Sequence, residues 1–362
     1  MAHYLFKRIL LIIPTLLGIV AINFFVVQLA PGGPVEQMMA KMSDIGENAS
    51  LSNLNGTSSE LLSTPSDGSF YKGARGLDDE ILIELQKMYG FDKPLFERFF
   101  LMLKNYLFFD FGDSFFRDIS VVDLVIEKMP VSISLGILST LLVYLISIPL
   151  GIKKAVSSGS VFDVYTSSIM IVLYSVPVFL FAIVLIIFFA GGEYFNWFPL
   201  RGIVSDDFAS LGVFEKVKDF LWHLALPIFA MSVGSFATLA MLSKNSFLDE
   251  INKQYVLTAR SKGLSENKIL YSHIFRNAML IIIAGFPAVF ISAFFTGSLL
   301  IEIIFSLDGL GLLGYESTIQ RDYPVMFGTL YIFTLLSLAV GIINDIVYTW
   351  IDPRIDFESR EY

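Results

Sequence analysis

The fold is decided by the stretch VSISLGILSTLLVYLISIPLGI at Val131–Ile152, which holds no charged residue over 22 positions. A run of about 18 or more such residues predicts a transmembrane helix. Five further runs satisfy the same rule, at about Ile9–Leu29, Val164–Ala190, Leu224–Leu242, Met279–Ile301 and Val325–Ile343. We therefore predict an all-α, polytopic membrane protein with six transmembrane helices.

The composition excludes other classes of protein. Of the 362 residues, 55% are hydrophobic and only 16% are charged, whereas soluble domains carry about 25% charged residues. A soluble enzyme, a nucleic-acid-binding protein and a disordered scaffold are excluded on this ground. The partner that surrounds the chain is membrane lipid.

The first apolar run resembles a signal peptide, because Lys7 and Arg8 precede it. A signal peptide has a shorter apolar core of 7–15 residues and a small-residue cleavage site. Here the run is longer and ends in Ala30-Pro31-Gly32-Gly33-Pro34, where prolines would impede cleavage. We expect an uncleaved helix within residues 1–30.

The basic residues predict the orientation of the chain. Lys7 and Arg8, then Lys153 and Lys154, and then six basic residues between the fourth and fifth runs would all lie on one side. Short loops rich in Lys and Arg face the cytoplasm, so both termini are expected there. The predicted regions are then a periplasmic loop or cap domain at 31–130, a five-helix core at 131–343 and a cytoplasmic tail at 344–362.

Three prolines, Pro14, Pro177 and Pro287, fall inside the predicted spans. Neighbouring helices can satisfy the carbonyl groups that a proline frees inside a membrane. We therefore expect kinks in these spans rather than breaks.

Small residues recur every fourth position on the fifth span, where they are Ala284, Ala288 and Ser292, with Gly297 further along. Such stripes allow helix backbones to approach closely in lipid. Packing within one bundle explains them; the alternative is a surface that faces a translocation path or a second subunit.

The long loop at 31–130 has two different halves. Residues 43–76 are rich in Ser, Asn, Gly and Thr, which is typical of loops. The second half predicts a helix from about Asp78 to Gly90 and a second with apolar residues at helical spacing, namely Leu95, Phe96, Phe99, Phe100, Leu103, Tyr106 and Leu107. These residues would lie on the bilayer surface or pack in a small cap domain, and the sequence leaves both open.

The cytoplasmic loop at 243–277 has an ordered pattern of charges. Ser246 can cap a helix that has Asp249 and Glu250 early and Arg260 and Lys262 late, an order that complements the helix dipole. Gly263 stands where a left-handed residue ends a helix, and Ser265 can cap a second one. We predict a helix, a glycine turn and a helix that together form a docking surface.

Several kinds of chemistry are missing from the sequence. It contains no phosphate-binding loop with a lysine, no metal-ligand spacing among its three histidines and no catalytic set of side chains. The spans also lack the central ionisable groups that ion-coupled transporters use. We expect no enzyme activity, no metal site and no cofactor bound by this chain, so that a partner would supply the energy for transport.

The loop resembles a known motif. The segment YVLTARSKGLS at 255–265, followed by HIFRNA at 273–278, is similar to the EAA loop of permeases from binding-protein-dependent ABC importers, in the form found in the oligopeptide/dipeptide branch. Leu257-Thr258-Ala259 replaces Glu-Ala-Ala and Arg276 replaces a late proline, as is usual in that branch. The residues that the resemblance assigns to ATPase coupling are Tyr255, Thr258, Ala259, Arg260, Lys262, Gly263, Leu264, Ser265, Arg276 and Asn277.

Four further blocks keep the order expected of that family, so the resemblance covers essentially the whole chain. They are residues 30–34, residues 89–94 leading to 110–114, residues 304–311 leading to 321–324, and residues 352–355. The stretches at 75–78 and 352–357 are most similar to the B-type permeases of the microcin C/peptide importers of proteobacteria.

The resemblance implies an inner-membrane subunit that forms half of a transporter. Its partners would be a C-type permease, ABC ATPase subunits that hydrolyse ATP, and a periplasmic peptide-binding protein. Nickel, sugar-like and opine substrates stay open, because related permeases carry them. A self-sufficient channel or secondary transporter and a membrane anchor are the competing hypotheses.

Overall fold

The computed structural model describes residues 2–29, 93–117, 119–192, 194–295 and 298–351. Within these ranges the regular structure is helical, and the one β feature is an isolated bridge between Asp113 and Ser120. The all-α prediction is therefore confirmed. The α-helices are α1 (Ala2–Leu29), α2 (Leu95–Leu107), α3 (Val121–Val156), α4 (Val161–Ser175), α5 (Val178–Phe189), α6 (Val213–Ile251), α7 (Gln254–Ser261), α8 (Glu266–Ile269), α9 (Phe275–Phe295), α10 (Ser298–Ile304), α11 (Leu310–Gln320) and α12 (Tyr323–Ile351).

The apolar runs correspond to helices of membrane-spanning length. In the part of the chain that the structure describes, five segments qualify, namely Phe6–Val26, Val121–Val156, Val213–Ile251, Glu266–Phe286 and Tyr323–Val347. A sixth is added if α4 and α5 count as one bent span. Each of the six predicted runs overlaps one of these segments.

Pro177 breaks its span instead of kinking it, so that prediction was wrong. Helices α4 and α5 meet at an angle of 97°. Val176, the residue before the proline, has the extended conformation (φ −84°, ψ 123°), which the proline ring favours over the helical one. By contrast, α1 and α9 continue through Pro14 and Pro287.

Two helices extend well beyond the apolar runs that predicted them. Helix α3 has 36 residues and α6 has 39, whereas about 20 residues cross the hydrocarbon core of a bilayer. Helix α12 continues to Ile351, past residue 344, where the tail was predicted to begin. Residues 352–362 lie outside the described residues.

The chain divides into two compact units, the larger of which comprises Met1–Leu10, Leu124–Glu316 and Ile332–Tyr362. Helix α6 is central to it, because α4, α5 and α9 all pack against α6. Its first half joins an apolar cluster that includes Val131, Leu135, Leu185, Leu224 and Ile301. Its second half joins a separate cluster that includes Val143, Phe247, Val256, Ile269 and Ile282. The predicted docking loop is thus anchored in the second cluster.

The smaller unit comprises Leu11–Asp123 and Ser317–Tyr331. Helix α2 confirms the helical spacing predicted for residues 95–107, and its Tyr106 packs against the rings of Phe111 and Tyr331 at 4.9 and 5.4 Å. The helix predicted near residues 78–90 lies outside the described residues.

Two blocks that carried the family resemblance meet inside this smaller unit. The buried carboxylate of Asp322 accepts hydrogen bonds from the Ser114 hydroxyl (2.5 Å) and from the Phe115 backbone N–H (3.2 Å). The segment at 110–114 is therefore held against the segment at 321–324, although about 200 residues separate them in the sequence.

Candidate functional site

Helix α7 is a short amphipathic helix at the centre of the predicted docking loop. Val256 and Ala259, which are three positions apart, are buried in the apolar core beside α6 and α9. The opposite face carries Thr258 and Ser261, and it leaves 58% of Leu257 exposed. One face therefore anchors the helix, while the other presents a large apolar side chain among polar ones.

The start of this helix differs from the prediction. Ser246 was expected to cap it, but α6 continues through Ser246 to Ile251. The Ser246 hydroxyl is buried and donates instead to the Ala278 carbonyl on α9 (2.7 Å). Lys253 occupies the N-cap position of α7. The helix continues past Ser246 because Phe247 is fully buried in the core.

The glycine turn has the predicted conformation. Gly263 has φ +80°, its N–H donates to the Arg260 carbonyl (2.9 Å), and the Leu264 N–H donates to the Ala259 carbonyl (3.3 Å). These two bonds define a Schellman motif, in which a left-handed residue satisfies the last carbonyl groups of a helix. Leu264 packs into the same apolar cluster as Ala259, which completes the motif.

Helix α8 begins where the sequence predicted. Ser265 occupies its N-cap position with extended backbone angles, although its side chain makes no capping hydrogen bond. The Arg260 guanidinium binds Glu266 at both oxygens, with N–O distances of 2.7 and 2.9 Å, and this hydrogen bonding raises the pKa of Arg260. The two side chains are 42% and 69% exposed, so the pair contributes little stability. It bridges α7 and α8 across the glycine turn.

A second polar group ties α7 to its neighbours. The Tyr255 hydroxyl donates to the Glu250 carboxylate at the end of α6 (2.7 Å) and accepts from the Asn277 amide on α9 (3.5 Å). Lys253 also binds Glu250. Burial, followed by the hydrogen bond to Glu250, raises the pKa of Tyr255. Through these two hydrogen bonds, the hydroxyl joins α6, α7 and α9.

Most of the predicted coupling residues come together. Tyr255, Thr258, Ala259, Arg260, Lys262, Gly263, Leu264 and Ser265 form one continuous helix–turn–helix. Asn277 reaches this group through Tyr255, and Arg276 is exposed at the start of α9. We call residues 253–269 the docking segment.

A π-helical stretch, Leu270–Ile274, connects the docking segment to α9. Beside it lies an apolar groove of about 680 Å³, which Ile152, Phe162, Leu270, Tyr271 and Phe275 help to line. Neither feature could be predicted from the sequence, because the apolar residues here fit an α-helix equally well.

The four residues proposed for a pathway or interface lie on or after α9. Ala284 is partly buried in that helix, and the α9 backbone passes through Ala288 and Ser292. Gly297 lies outside the described residues. Among the residues that the structure describes, no group of three acidic or histidine side chains could hold a metal ion.

A comparison with protein-family models identifies the chain. The model for inner membrane components of binding-protein-dependent transport systems matches residues 147–357, a range that includes the docking segment. The chain belongs to this family. It is therefore the permease subunit of an ABC importer.

Individual relatives cover the permease over almost its whole length. It is 60% identical over 100% of both chains to the peptidoglycan transport system permease protein YejB of Agrobacterium fabrum. It is 58% identical to the inner membrane ABC transporter permease protein YejB of Escherichia coli O157:H7, over 99% of this chain and 100% of that one. The oligopeptide transport system permease protein AppB of Bacillus subtilis is 32% identical, over 99% and 100%. The predicted permease family is thus confirmed, with the oligopeptide permease less similar than the first two.

Proposed function

We propose that this permease forms half of the translocation pathway of an ATP-driven importer for peptides or peptide-like compounds, of which microcin C is one example. A related C-type permease would form the other half of the pathway. ABC ATPase subunits would supply the energy, and a periplasmic binding protein would deliver the substrate. The oligopeptide transport named for the Bacillus relative supports the substrate class.

The geometry of the docking segment carries the ATPase part of the proposal. Its helices are anchored by Val256, Ala259 and Ile269, which are buried. The Schellman motif defines the turn between them, and the Arg260–Glu266 pair bridges it. Leu257 is exposed on the outer face. A rigid amphipathic helix with an exposed apolar anchor is suited to a groove on a partner protein.

Substitution of Leu257 tests this interaction. Leu257→Ser should leave membrane insertion unchanged, because the side chain is already 58% exposed, and it should reduce co-purification of the ATPase. Val213→Ser is a matched control, since Val213 is 83% exposed at the start of α6. Equal ATPase recovery from both variants would exclude the docking role.

The proposed orientation places the docking segment in the cytoplasm. A reporter that is active only outside the cytoplasm should then work when fused near Asp207 and fail near Ser157 or Lys262. Activity at Lys262 would overturn both the orientation and the ATPase contact.

The substrate could also be a peptide-containing fragment of the cell wall, because one relative is named for peptidoglycan transport. Uptake of a radiolabelled cell-wall tripeptide and sensitivity to microcin C, compared in a strain with and without this permease, would separate the two substrates. Uptake of either compound by the permease alone in proteoliposomes, without an ATPase, would favour a secondary transporter or channel instead.

A further inference from the structure

Lys154, at the end of α3, is a fully buried lysine that the proposed function does not use. Its ammonium group donates to the Thr166 hydroxyl (2.8 Å), the Ser167 hydroxyl (2.7 Å) and the Asp163 carbonyl (3.0 Å). It also lies 3.2 Å from Asp163 Oδ1. A buried ammonium group is costly unless it is paired and hydrogen-bonded, and here all its partners belong to the first turns of α4.

The same carboxylate reaches a third helix. Asp163 Oδ2 accepts from Lys244 on α6 (2.7 Å) and from the Gly159 N–H in the α3–α4 turn (3.0 Å). One aspartate therefore connects the end of α3, the turn after it, the start of α4 and α6. We call Lys154, Asp163 and Lys244 the three-helix cluster.

Apolar contacts hold α3 and α4 against α6 only in part near the cluster, so the charged groups contribute to this connection. Helices α3 and α6 are in close contact, because a Cβ on Gly151 would lie 2.4 Å from Ser243 Cβ and 2.8 Å from the Ala240 carbonyl oxygen. The apolar contact of α4 with α6 lies further along, at Met170 with Ala237 and Ala240. At the start of α4, Phe162 lines the apolar groove together with Leu270 and Phe275.

The position of Lys244 links the cluster to the docking segment. Helix α6 continues from Lys244 to Ile251, and α7 begins at Gln254. A displacement of the docking segment therefore acts on α6 about two turns from Lys244. The cluster holds three charged groups, two positive and one negative. Buried ion pairs often add little net stability, but removal of one partner is costly, so the three groups hold one another in place.

We infer that Asp163, Lys154 and Lys244 are positioning residues that make the α3–α4 hairpin move as one body with α6. Movement of the docking segment during the ATPase cycle then reaches α3 and α4 together. This inference rests on the proposed function, since it assigns these residues a part in the same ATP-driven transport.

Lys244→Met is the most informative variant. It removes only the link to α6 and leaves the buried Lys154–Asp163 pair neutral, so the chain should insert and bind the ATPase as the wild type does. Lys244→Arg should keep the ion pair with Asp163. Lys128→Met is the matched control, because the Lys128 side chain is 12% exposed, against 15% for Lys244, and it pairs with Glu127 and Asp308 near the other end of α3.

Distance measurements test the movement directly and need no substrate. The chain contains no cysteine, so the exposed Ser158 and Asp249 can be replaced by cysteines and spin-labelled in the isolated permease without background labelling, before the ATPase is added. In the permease–ATPase complex, the distance between the labels should be the same with and without trapped ATP. In Lys244→Met it should change between the two states or broaden, while Lys244→Arg and Lys128→Met should behave as the parent does.

Transport efficiency provides the second readout. Peptide taken up per ATP hydrolysed should fall by about 2- to 30-fold in Lys244→Met, the range observed for residues that couple distant sites. In Lys244→Met, a label distance that is the same in both states and no broader than in the parent, or an unchanged ratio of uptake to ATP hydrolysis, would overturn the inference. Failure of the wild-type permease to bind the ATPase would instead overturn the proposed function. If Lys244→Met inserts poorly, Lys244→Gln serves for the same measurements.

Discussion

Two chain reversals in the larger unit both depend on glycine, but for opposite reasons. In the docking segment, Gly263 has φ +80°, and no atom lies within 4 Å of the position that a Cβ would occupy. In the turn between α10 and α11, a Cβ on Gly309 would lie 2.5 Å from the carboxylate of Glu302. The first position requires a left-handed backbone and the second requires space.

The surroundings of the two turns explain this difference. Glu302 is fully buried, and it accepts hydrogen bonds from the Ser132 hydroxyl (3.0 Å) and the Leu312 N–H (2.7 Å). Ser132 in turn accepts from the Leu310 N–H (2.8 Å). The charged pair across the docking turn, Arg260–Glu266, is exposed. The buried turn at Gly309 should therefore affect the stability of the permease, while the exposed turn at Gly263 should affect its interaction with a partner.

Gly309→Ala should have the largest effect on stability. The Glu302 carboxylate cannot move away from the new methyl group without losing its bonds to Ser132 and Leu312, and overpacking of this kind costs about 1–3 kcal/mol. The midpoint of thermal unfolding in detergent should fall accordingly. Gly314→Ala is the control, because no atom lies within 4 Å of its Cβ position on α11. Equal unfolding midpoints for the two variants would show that Glu302 leaves room for a methyl group at residue 309.

Ser132→Ala should have the next largest effect. It leaves the buried Leu310 N–H without its acceptor and removes one donor to Glu302, and an unsatisfied buried group costs about 1–3 kcal/mol. The same unfolding assay measures the loss. Ser134→Ala is a suitable control, since the Ser134 hydroxyl donates only to the Pro130 carbonyl of its own helix. An equal fall of the unfolding midpoint in Ser134→Ala would show that any loss of a serine hydroxyl on α3 has this effect.

Gly263→Ala should cost about 1–2 kcal/mol, because an ordinary residue must then adopt the left-handed conformation. Recovery of the ATPase should nevertheless fall, because the strained turn lets a fraction of the molecules adopt other angles between α7 and α8. Gly192→Ala is the matched control, because Gly192 also has a left-handed backbone (φ +79°) and no atom lies within 4 Å of the position that its Cβ would occupy. If both variants retain the ATPase equally, the segment acts only as a connector.

Glu266→Gln should have the smallest effect on stability, because both partners of the Arg260–Glu266 pair are exposed and such pairs contribute little in water. The unfolding midpoint should stay at the wild-type value. Binding of the ATPase should become weaker and less dependent on salt concentration, as measured by co-purification at low and high salt. A clear loss of thermal stability would contradict the contrast between the two turns.

Local signals in the sequence predicted much of the docking segment. Helical spacing, the order of charges and Gly263 all act within about ten residues, so they could be interpreted without the fold. Ser246 failed as a predicted cap because the burial of Phe247 extends α6, and that burial depends on α7 and α9. Pro177 failed as a predicted kink because the extended Val176 begins a break.

The buried polar groups could not be predicted from the sequence. Ser132 and Glu302 are 170 residues apart, and Lys154 was counted only as a cytoplasmic charge that sets the orientation. One signal for the three-helix cluster was present, since Ser160 and Asp163 have the spacing of a helix start. The Ser160 side chain indeed accepts from the Asp163 N–H, but the contacts with Lys154 and Lys244 depend on how the helices pack.

The π-helical stretch at Leu270–Ile274 has a consequence for how helical wheels are drawn across this region. A π turn accommodates one more residue than an α turn, and one residue corresponds to about 100° of rotation around a helix axis. A wheel drawn continuously from Ile269 into α9 therefore places Ala284 about 100° from its actual direction. Faces of α9 must be counted from Phe275, and the deletion of one residue between Leu270 and Ile274 would rotate that whole helix relative to the docking segment.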